Sequence, residues 1–117
     1  MYAVCGRPVA IKPQETEVIR TGLVFEVPPG YFAGIFARSG MATNRGLRPS
    51  NCVGVIDSDY RGEVLVAIYN DSEETQIIYN GDRVAQAIVI KADDAIEEVS
   101  EVSKTARGNG GFGSTGV

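Results

Sequence analysis

Short apolar runs with the alternation of β-strands follow one another along most of the chain. They are rich in Val, Ile, Phe and Tyr, and turn residues such as Pro28-Pro29-Gly30 and Asn80-Gly81 separate them. Many short strands bounded by such turns are typical of an all-β sandwich or barrel. The pattern predicts strands within residues 8–12, 16–27, 30–38, 51–56, 62–70, 75–80 and 83–90.

A few segments depart from the strand pattern. One or two helical turns are predicted near Met41–Gly46, and Asn80-Gly81 predicts a tight turn in which both residues tolerate positive φ. Residues 92–103 are acidic, and we expect an extended segment and then a solvated stretch there, with a short helix as the alternative. Residues 104–117 are polar and glycine-rich, so they predict a flexible tail after a β domain at residues 1–103.

The composition is that of one ordinary globular domain, with 117 residues, 44% of them hydrophobic and 22% charged. The net charge of −4 gives no attraction to nucleic acid or to an anionic membrane, and we expect neither partner. No apolar run is long enough to span a membrane, and the N-terminus lacks a signal-peptide pattern. These features predict a cytoplasmic protein, in which Cys5 and Cys52 stay reduced.

The chain has no histidine, and this limits its chemistry. Ser-His-Asp and Cys-His catalytic arrangements are excluded within the chain, as is a zinc site with histidine ligands. If the protein is an enzyme, a carboxylate is therefore the expected general base.

The stretch ARSGMATNRGL at residues 37–47 contains the first candidate site. Arg38, Ser39 and Gly40 present a guanidinium, a hydroxyl and a glycine amide in a row, directly before the predicted helical turn. These groups suit a phosphate or a carboxylate. The alternative is an ordinary connection between a strand and a turn.

The stretch NCVGVIDSDYRGE at residues 51–63 predicts a β-hairpin with a polar tip. Asp57 directly follows a buried-type strand, where partial desolvation would tune its carboxylate to act as a base toward water. Tyr60 offers a flat ring to a sugar or a base. Alternatively, Asp57 and Asp59 form the turn by bonding to their own backbone.

Two further stretches carry candidate groups. Gln86 interrupts an apolar strand, so it either points to solvent or is held at a polar site. In the tail, Arg107, Ser114 and Thr115 are suited to phosphate oxygens, and Phe112 can close over a flat ring. The alternative for the tail is a disordered chain end.

The order of these stretches resembles the trimeric dUTP pyrophosphatase (dUTPase) family. GYFAGIFARSGMA, GVIDSDYRGEV, GDRVAQ and RGNGGFGSTG are similar to motifs two to five of that family, and the resemblance extends from about Thr21 to Gly116. It implies an all-β, jelly-roll (β-clip) subunit in a homotrimer, with each active site built from three chains. Residues 104–117 would then form the lid of such a site.

The resemblance also implies a reaction. It is the hydrolysis of dUTP to dUMP and pyrophosphate, which keeps uracil out of DNA and supplies dUMP for dTMP synthesis. Asp57 matches the carboxylate that activates the water attacking the α-phosphorus, and Gln86 matches a polar contact near that water. No direct metal ligand is implied, because Mg²⁺ is expected on the substrate phosphates through water.

The implied substrate contacts come from several parts of the chain. The matched residues would bind the phosphates, the uracil and the deoxyribose, and a tail from a neighbouring subunit would stack a ring on uracil and hold the γ-phosphate. The phosphate triplet is Arg38, Ser39 and Gly40; the uracil contacts are Asn51, Val55, Ile56, Asp57 and Leu65; Tyr60 lies under the deoxyribose; the tail contributes Arg107, Phe112, Gly113, Ser114 and Thr115.

One departure from the family pattern leaves alternatives open. The first motif, an Ala-Gly-x-Asp-Leu string, would end at about Met1, so its Asp and the preceding strand are missing from the sequence. Either the sequence begins at an internal methionine, or the protein is a truncated form. If the chain starts at Met1, we expect weaker metal-dependent activity and an exposed sheet edge. Two other functions also remain open: a dCTP deaminase-like enzyme of the same fold, and a truncated subunit that binds dUTP or a regulatory partner without catalysis.

Overall fold

The computed structural model describes residues 1–93, 96–114 and 116 of the chain. Within these residues, strands make up almost all of the regular structure, as the apolar pattern predicts. The elements are β1 (Val9–Ile11), β2 (Thr16–Val24), β3 (Tyr31–Phe36), α1 (Ser39–Arg45), β4 (Leu47–Pro49), β5 (Gly54–Ile56), β6 (Glu63–Asn70), β7 (Gln76–Ile78) and β8 (Gln86–Lys91).

The described strands form three small antiparallel sheets. Their orders are β1-β7, β2-β6-β4 and β5-β3-β8. No two of these strands that follow one another in the chain lie in the same sheet, so long-range pairing holds the fold together. Strand β3 is central in its sheet, and it carries β5 on one side and β8 on the other.

The core lies beneath these sheets and follows directly from the alternation of strand residues. In β6, Val64, Val66 and Ile68 are buried while Leu65 between them is exposed. This is the period-2 pattern of a strand with one face in the core. The core cluster also includes Ile11, Ile19, Ile35, Leu47, Ile78 and Val84.

A bulge interrupts the pairing of β2 with β6. Arg20 lies opposite Leu65 and Val24 lies opposite Glu63, so residues 21–23 of β2 face Val64 alone. Inside the bulge the buried Thr21 hydroxyl donates to the Val64 carbonyl (2.6 Å). The strand therefore bends at this point, next to the start of β6.

The predicted helix is confirmed. Helix α1 begins at Ser39, buries Met41 and ends at Arg45, and the next residue, Gly46, has a left-handed conformation (φ 63°, ψ 25°). A glycine in this conformation is the usual way to end a helix, because it lacks the Cβ that makes positive φ costly.

The sequence pattern does not predict β4, and the hairpin expected at residues 51–63 is wrong. Strand β4 has three residues and ends in Pro49. It pairs only with β6 and is therefore an edge strand, the position in a sheet that tolerates proline. Strand β5 pairs with β3, whereas β6 pairs with β2 and β4. Residues 57–62 are therefore a loop between two sheets and not the tip of a hairpin.

The predicted turn at Asn80-Gly81 is present, since Asp82 N–H donates to the Tyr79 carbonyl (3.1 Å). Gly81 has a positive φ of 84°, but Asn80 does not have a positive φ. The turn also does not close a hairpin, because β7 and β8 belong to different sheets.

The described part of the acidic segment 92–103 contains no helix or strand. Residues 92, 93 and 96–103 are exposed, which agrees with the predicted extended and solvated stretch. Among the described residues, no helix combines the length and the apolar character needed to cross a membrane.

Candidate active site

A groove of about 230 Å³ lies where β5 runs into the loop before β6. Five of its six lining residues are among those predicted from the sequence to contact the nucleotide. The lining residues are Val55, Ile56, Asp57, Tyr60, Glu63 and Leu65.

Tyr60 is held firmly at the wall of this groove. Its phenol donates a hydrogen bond to the main-chain carbonyl of Glu63 (2.9 Å), and its backbone N–H bonds the Asp57 carbonyl (3.2 Å). The ring also lies against Gly62, where a Cβ would stand 2.4 Å from the phenol oxygen. The local sequence Tyr60-Arg61-Gly62 therefore fixes one ring position.

Asp57 is exposed, so the partial desolvation predicted for it is not found in the single chain. Among the described residues, no hydrogen bond or ion pair engages the carboxylate of Asp57 or Asp59, so neither acts as a turn former through its side chain. The Asp57 carboxylate is consequently accessible to water at the groove.

Asn51 lies beside the groove without lining it. Its side-chain nitrogen is 3.5 Å from the point where a Cβ on Gly54 would stand. Gly54 begins β5 and is buried against Ile35. The exposed Asn51 amide is therefore near the first residue of the strand that leads into the groove.

The predicted phosphate triplet and Gln86 form a second cluster. Gln86 lies opposite Phe36, and its Nε2 donates to the Ala37 carbonyl (2.9 Å). The Gln86 side chain is thus exposed and also hydrogen-bonded. The residue that accepts its bond, Ala37, directly precedes Arg38. Ser39 opens α1, and the first amides of a helix have no partner inside the helix.

Positive groups surround this second cluster. Arg38 Nη1 donates to the Arg83 carbonyl (3.2 Å), and the Met1 α-amino group donates to the Ala85 carbonyl (2.8 Å). The pKa of the Met1 amine is lowered, mainly by desolvation and to a smaller extent by the nearby Arg38 and Arg83 guanidinium groups. Sequence reasoning missed Arg83, although it lies inside the GDRVAQ string that identified Gln86.

The groove and the second cluster lie at opposite ends of β3. Ile56 stands opposite Ala33, and β5 then leads away toward the start of β3. Arg38 follows the other end of β3, five residues beyond Ala33. At about 3.3 Å per strand residue, roughly 17 Å separates the two along the strand. One chain alone does not bring Asp57 and Arg38 together.

The described part of the tail approaches neither cluster through a hydrogen bond. Arg107 Nε donates to the Gly110 carbonyl (2.9 Å), and the other hydrogen bonds described for residues 105–116 also close within the tail. Phe112 is fully exposed, and Gly113 and Ser114 are also exposed. The contact predicted for Thr115 falls outside the described residues.

The family model for dUTPase matches residues 4–116 of the chain. The chain belongs to the dUTPase family. It is 43% identical to the deoxyuridine 5'-triphosphate nucleotidohydrolase of Anaplasma marginale, over all of this chain and 80% of that protein. It is 50% identical to the protein of the same name from Nautilia profundicola, over 92% of this chain and 77% of that protein.

The structural comparison confirms the fold. A dUTPase of Staphylococcus bacteriophage 80alpha, solved with dUpNHpp, superimposes with a TM-score of 0.80 at 26% identity, covering 99% of this chain and 83% of that chain. The three antiparallel sheets are thus the jelly roll of dUTPases, as the resemblance implies.

Glu63 is the member of the dUTPase groove that sequence reasoning missed. Its carboxylate accepts hydrogen bonds from Gly22 N–H (2.8 Å) and Arg20 Nε (3.0 Å), and Arg20 Nη2 is 3.0 Å away. The Gly22 bond, together with the Arg20 guanidinium, lowers the pKa of Glu63 below its usual value, although desolvation opposes this. Only the pairing of β2 with β6, which the local sequence does not disclose, brings these groups together.

The two carboxylates of the groove therefore differ in whether their oxygens are free to bind water or substrate. Glu63 is bonded on both carboxylate oxygens, whereas Asp57 is free among the described residues. In that part of the chain, no three His, Cys, Asp or Glu side chains are grouped to hold a metal ion. The donors present suit Mg²⁺, which is usually held by one or two carboxylates, by water and by substrate phosphates.

Proposed function

We propose that this chain hydrolyses dUTP to dUMP and pyrophosphate, which keeps uracil out of DNA and supplies dUMP for dTMP synthesis. The observation that carries the proposal is the groove, in which an accessible Asp57 carboxylate and a fixed Tyr60 ring lie side by side. The chain that forms it is 43–50% identical to named dUTP nucleotidohydrolases over most of its length.

The groove accounts for recognition of the nucleoside. Backbone groups of Val55, Ile56 and Asp57, the Asn51 amide and the Leu65 backbone read the uracil. Tyr60 lies under the deoxyribose and leaves no room for a 2′-hydroxyl. The bond from its phenol to the Glu63 carbonyl and its position over Gly62 hold the ring in this place, where it opposes the larger sugar. A pocket without slack rejects UTP at the 2′ position and dTTP at C5.

The chemistry needs one base and several groups that neutralise charge. Asp57 accepts a proton from water as the water oxygen forms a bond to the α-phosphorus. The bond from that phosphorus to the oxygen bridging the α- and β-phosphates breaks, and pyrophosphate leaves with the bonding electrons. Gln86 contacts the attacking water, and Arg38, Ser39 and Gly40 bind the phosphates. Mg²⁺ would be held on the substrate phosphates through water, and it would supply positive charge that neutralises them.

The separation of the two clusters supports a site shared between copies of the chain. We place the groove of one chain against the phosphate triplet and Gln86 of a second, in a homotrimer. The tail of a third chain closes the site, with Phe112 on uracil and Arg107, Gly113, Ser114 and Thr115 at the γ-phosphate. The exposure of Phe112 supports this role, since an aromatic ring on a chain end gains most by covering another surface.

Three predictions from the sequence remain predictions. Use of Mg²⁺, a cytoplasmic location and the lid role of residues 104–117 are part of this proposal. The deaminase alternative is not favoured, because the relatives described above are named as dUTP nucleotidohydrolases.

The test is pyrophosphate release from dUTP, with and without Mg²⁺, beside dCTP, dTTP and UTP. We expect rapid release from dUTP alone, and much slower release without Mg²⁺. Ammonia release from dCTP would instead support the deaminase. Binding of dUTP without any pyrophosphate would support the non-catalytic subunit.

A further inference from the structure

The Glu63 side chain joins the start of β6 to the bulge of β2. The regular pairing of these strands is interrupted between Arg20 and Val24, so the strands lack their usual ladder there. The Glu63 carboxylate supplies a link, because it accepts hydrogen bonds from Gly22 N–H and from Arg20 Nε. Arg20 Nη2 is also 3.0 Å from Oε2, the oxygen that accepts the Nε bond, so two guanidinium nitrogens meet at one carboxylate oxygen.

The same residue holds the Tyr60 ring through its main chain. The phenol of Tyr60 donates to the Glu63 carbonyl (2.9 Å), and Tyr60 belongs to a loop between two sheets. Such a loop takes its position from the elements at its ends. The place of the ring in the groove therefore depends on where the first residue of β6 is held.

Gly62 limits the ring from the other side. A Cβ at this position would lie 2.4 Å from the phenol oxygen and 2.6 Å from Cζ of Tyr60. The ring thus occupies a slot with two boundaries, the Gly62 backbone and the Glu63 carbonyl. Moving either boundary moves the ring.

We infer that Glu63 is a positioning residue for sugar selectivity: its carboxylate anchors the start of β6 to Gly22 and Arg20 and thereby sets the place of the Tyr60 ring. Because its oxygens are already bonded within the chain, the carboxylate acts through Tyr60 and not by touching the nucleotide. The inference rests on the proposed function, in which Tyr60 lies under the deoxyribose.

The test compares dUMP with UMP in equilibrium binding, and dUTP with UTP in turnover. The variants are Glu63→Ala, Glu63→Gln and Gly62→Ala. Glu15→Gln is the matched control, since it removes the carboxylate of another exposed ion pair, near the opposite end of β6. Circular dichroism confirms that each variant is folded, and Glu63→Gln preserves size and one acceptor for Gly22.

We expect Glu63→Ala to lower the ratio of dUMP to UMP affinity about tenfold, within the range for one lost contact in a selective pocket. Gly62→Ala lowers the same ratio, Glu63→Gln falls between Glu63→Ala and the wild type, and Glu15→Gln changes nothing. In turnover, the preference for dUTP over UTP falls in parallel.

An unchanged ratio in the folded Glu63 variants would overturn the inference, as would equal losses for both sugars, which indicate a merely structural role. If the wild type binds dUMP selectively but releases no pyrophosphate from dUTP, the proposed function fails and the binding ratios still decide the inference. A wild type that binds neither nucleotide overturns both.

Discussion

Two carboxylates share the groove, and their surroundings give them different roles. Glu63 is bonded by Gly22 and Arg20, so its lone pairs are committed to holding strands together. Asp57 is exposed and, within the described residues, unbonded. A general base needs a free lone pair within reach of water. At the residue scale, Asp57 is therefore the accessible carboxylate of the groove, which suits the base role proposed for it.

Replacing Asp57 by Asn tests this role. The substitution keeps the size of the side chain and removes its basicity. We expect turnover of dUTP to fall roughly 10³-fold, in the range of general-base catalysis. Affinity for dUMP stays close to that of the wild type, because the groove reads the base mainly through its backbone. Steady-state pyrophosphate release and equilibrium binding give the two values, and a variant that keeps its turnover excludes Asp57 as the base.

A substitution at Gly40 distinguishes an effect on the stability of the fold from an effect on phosphate binding. A Cβ at Gly40 would meet no atom of this chain, and the residue lies in the first turn of α1. Gly40→Ala should therefore leave the chain as stable as before, or gain about 0.5 kcal/mol from helix propensity. If phosphate oxygens approach this amide, the added methyl group raises KM for dUTP.

Thermal unfolding and dUTP kinetics measure both effects. Gly6→Ala is the control, because a Cβ at Gly6 also meets nothing and Gly6 lies in neither cluster. Equal KM values for Gly40→Ala and the wild type would remove Gly40 from the phosphate site.

Residue types alone predict most of the groove and part of the second cluster. The string GVIDSDYRGEV indicates Val55, Ile56, Asp57 and Tyr60 because their order is distinctive. Glu63 lies in the same string, but its role depends on a partner 43 residues earlier in the chain. A local pattern carries no signal for such a partner, and only the strand pairing discloses it.

At the scale of elements, the β2 bulge and the start of β6 form one unit. Hydrogen bonding by Gly22 and the Arg20 charge lower the pKa of Glu63 in the folded chain below its ordinary value of 4.5. The folded state thus favours the anion more than the unfolded state does. This contribution to stability is present above about pH 4.5 and is lost as pH falls through the lowered pKa.

A pH series of melting temperatures for the wild type and Glu63→Gln measures this linkage. We expect the wild type to be more stable near neutral pH and the difference to shrink below about pH 4, where the carboxylate becomes protonated. A difference that grows as pH falls would contradict the direction of the shift.

Strand existence follows from the apolar alternation, whereas strand pairing does not. The pattern places β6 well, because its alternating buried residues run the length of the strand. It misses β4, since three residues ending in Pro49 are too few to show a period. It also suggests a hairpin at residues 51–63, because closeness in sequence favours pairing that the sheets do not use.

At the scale of the whole molecule, one chain holds the two parts of the proposed site apart. The groove and the phosphate triplet lie at opposite ends of β3. The chain is also extended, since its radius of gyration of 18.4 Å exceeds the ~13 Å usual for a compact chain of about this length. The exposed tail agrees with this difference. The order of motifs predicts the family, but a single sequence does not show which chain supplies which part.

Deleting residues 107–117 tests the role of the tail. The hydrogen bonds described for residues 107–116 close within residues 105–116, so the β domain should keep its melting temperature and assembly. Turnover of dUTP should fall by about two orders of magnitude, the cost of losing closure and positioning over the substrate. Light scattering and pyrophosphate release give the two readouts, and full activity without the tail would return the segment to plain disorder.

Mixing two inactive variants tests the shared dUTP site most directly. Asp57→Asn chains keep their tails, and chains lacking residues 107–117 keep Asp57. When the two are refolded together in equal amounts, some sites combine an intact groove with an intact tail from a different chain. We predict that about a quarter of wild-type pyrophosphate release from dUTP returns, as random assembly of a cyclic homotrimer gives. A mixture as inactive as its two components would contradict a site shared between chains.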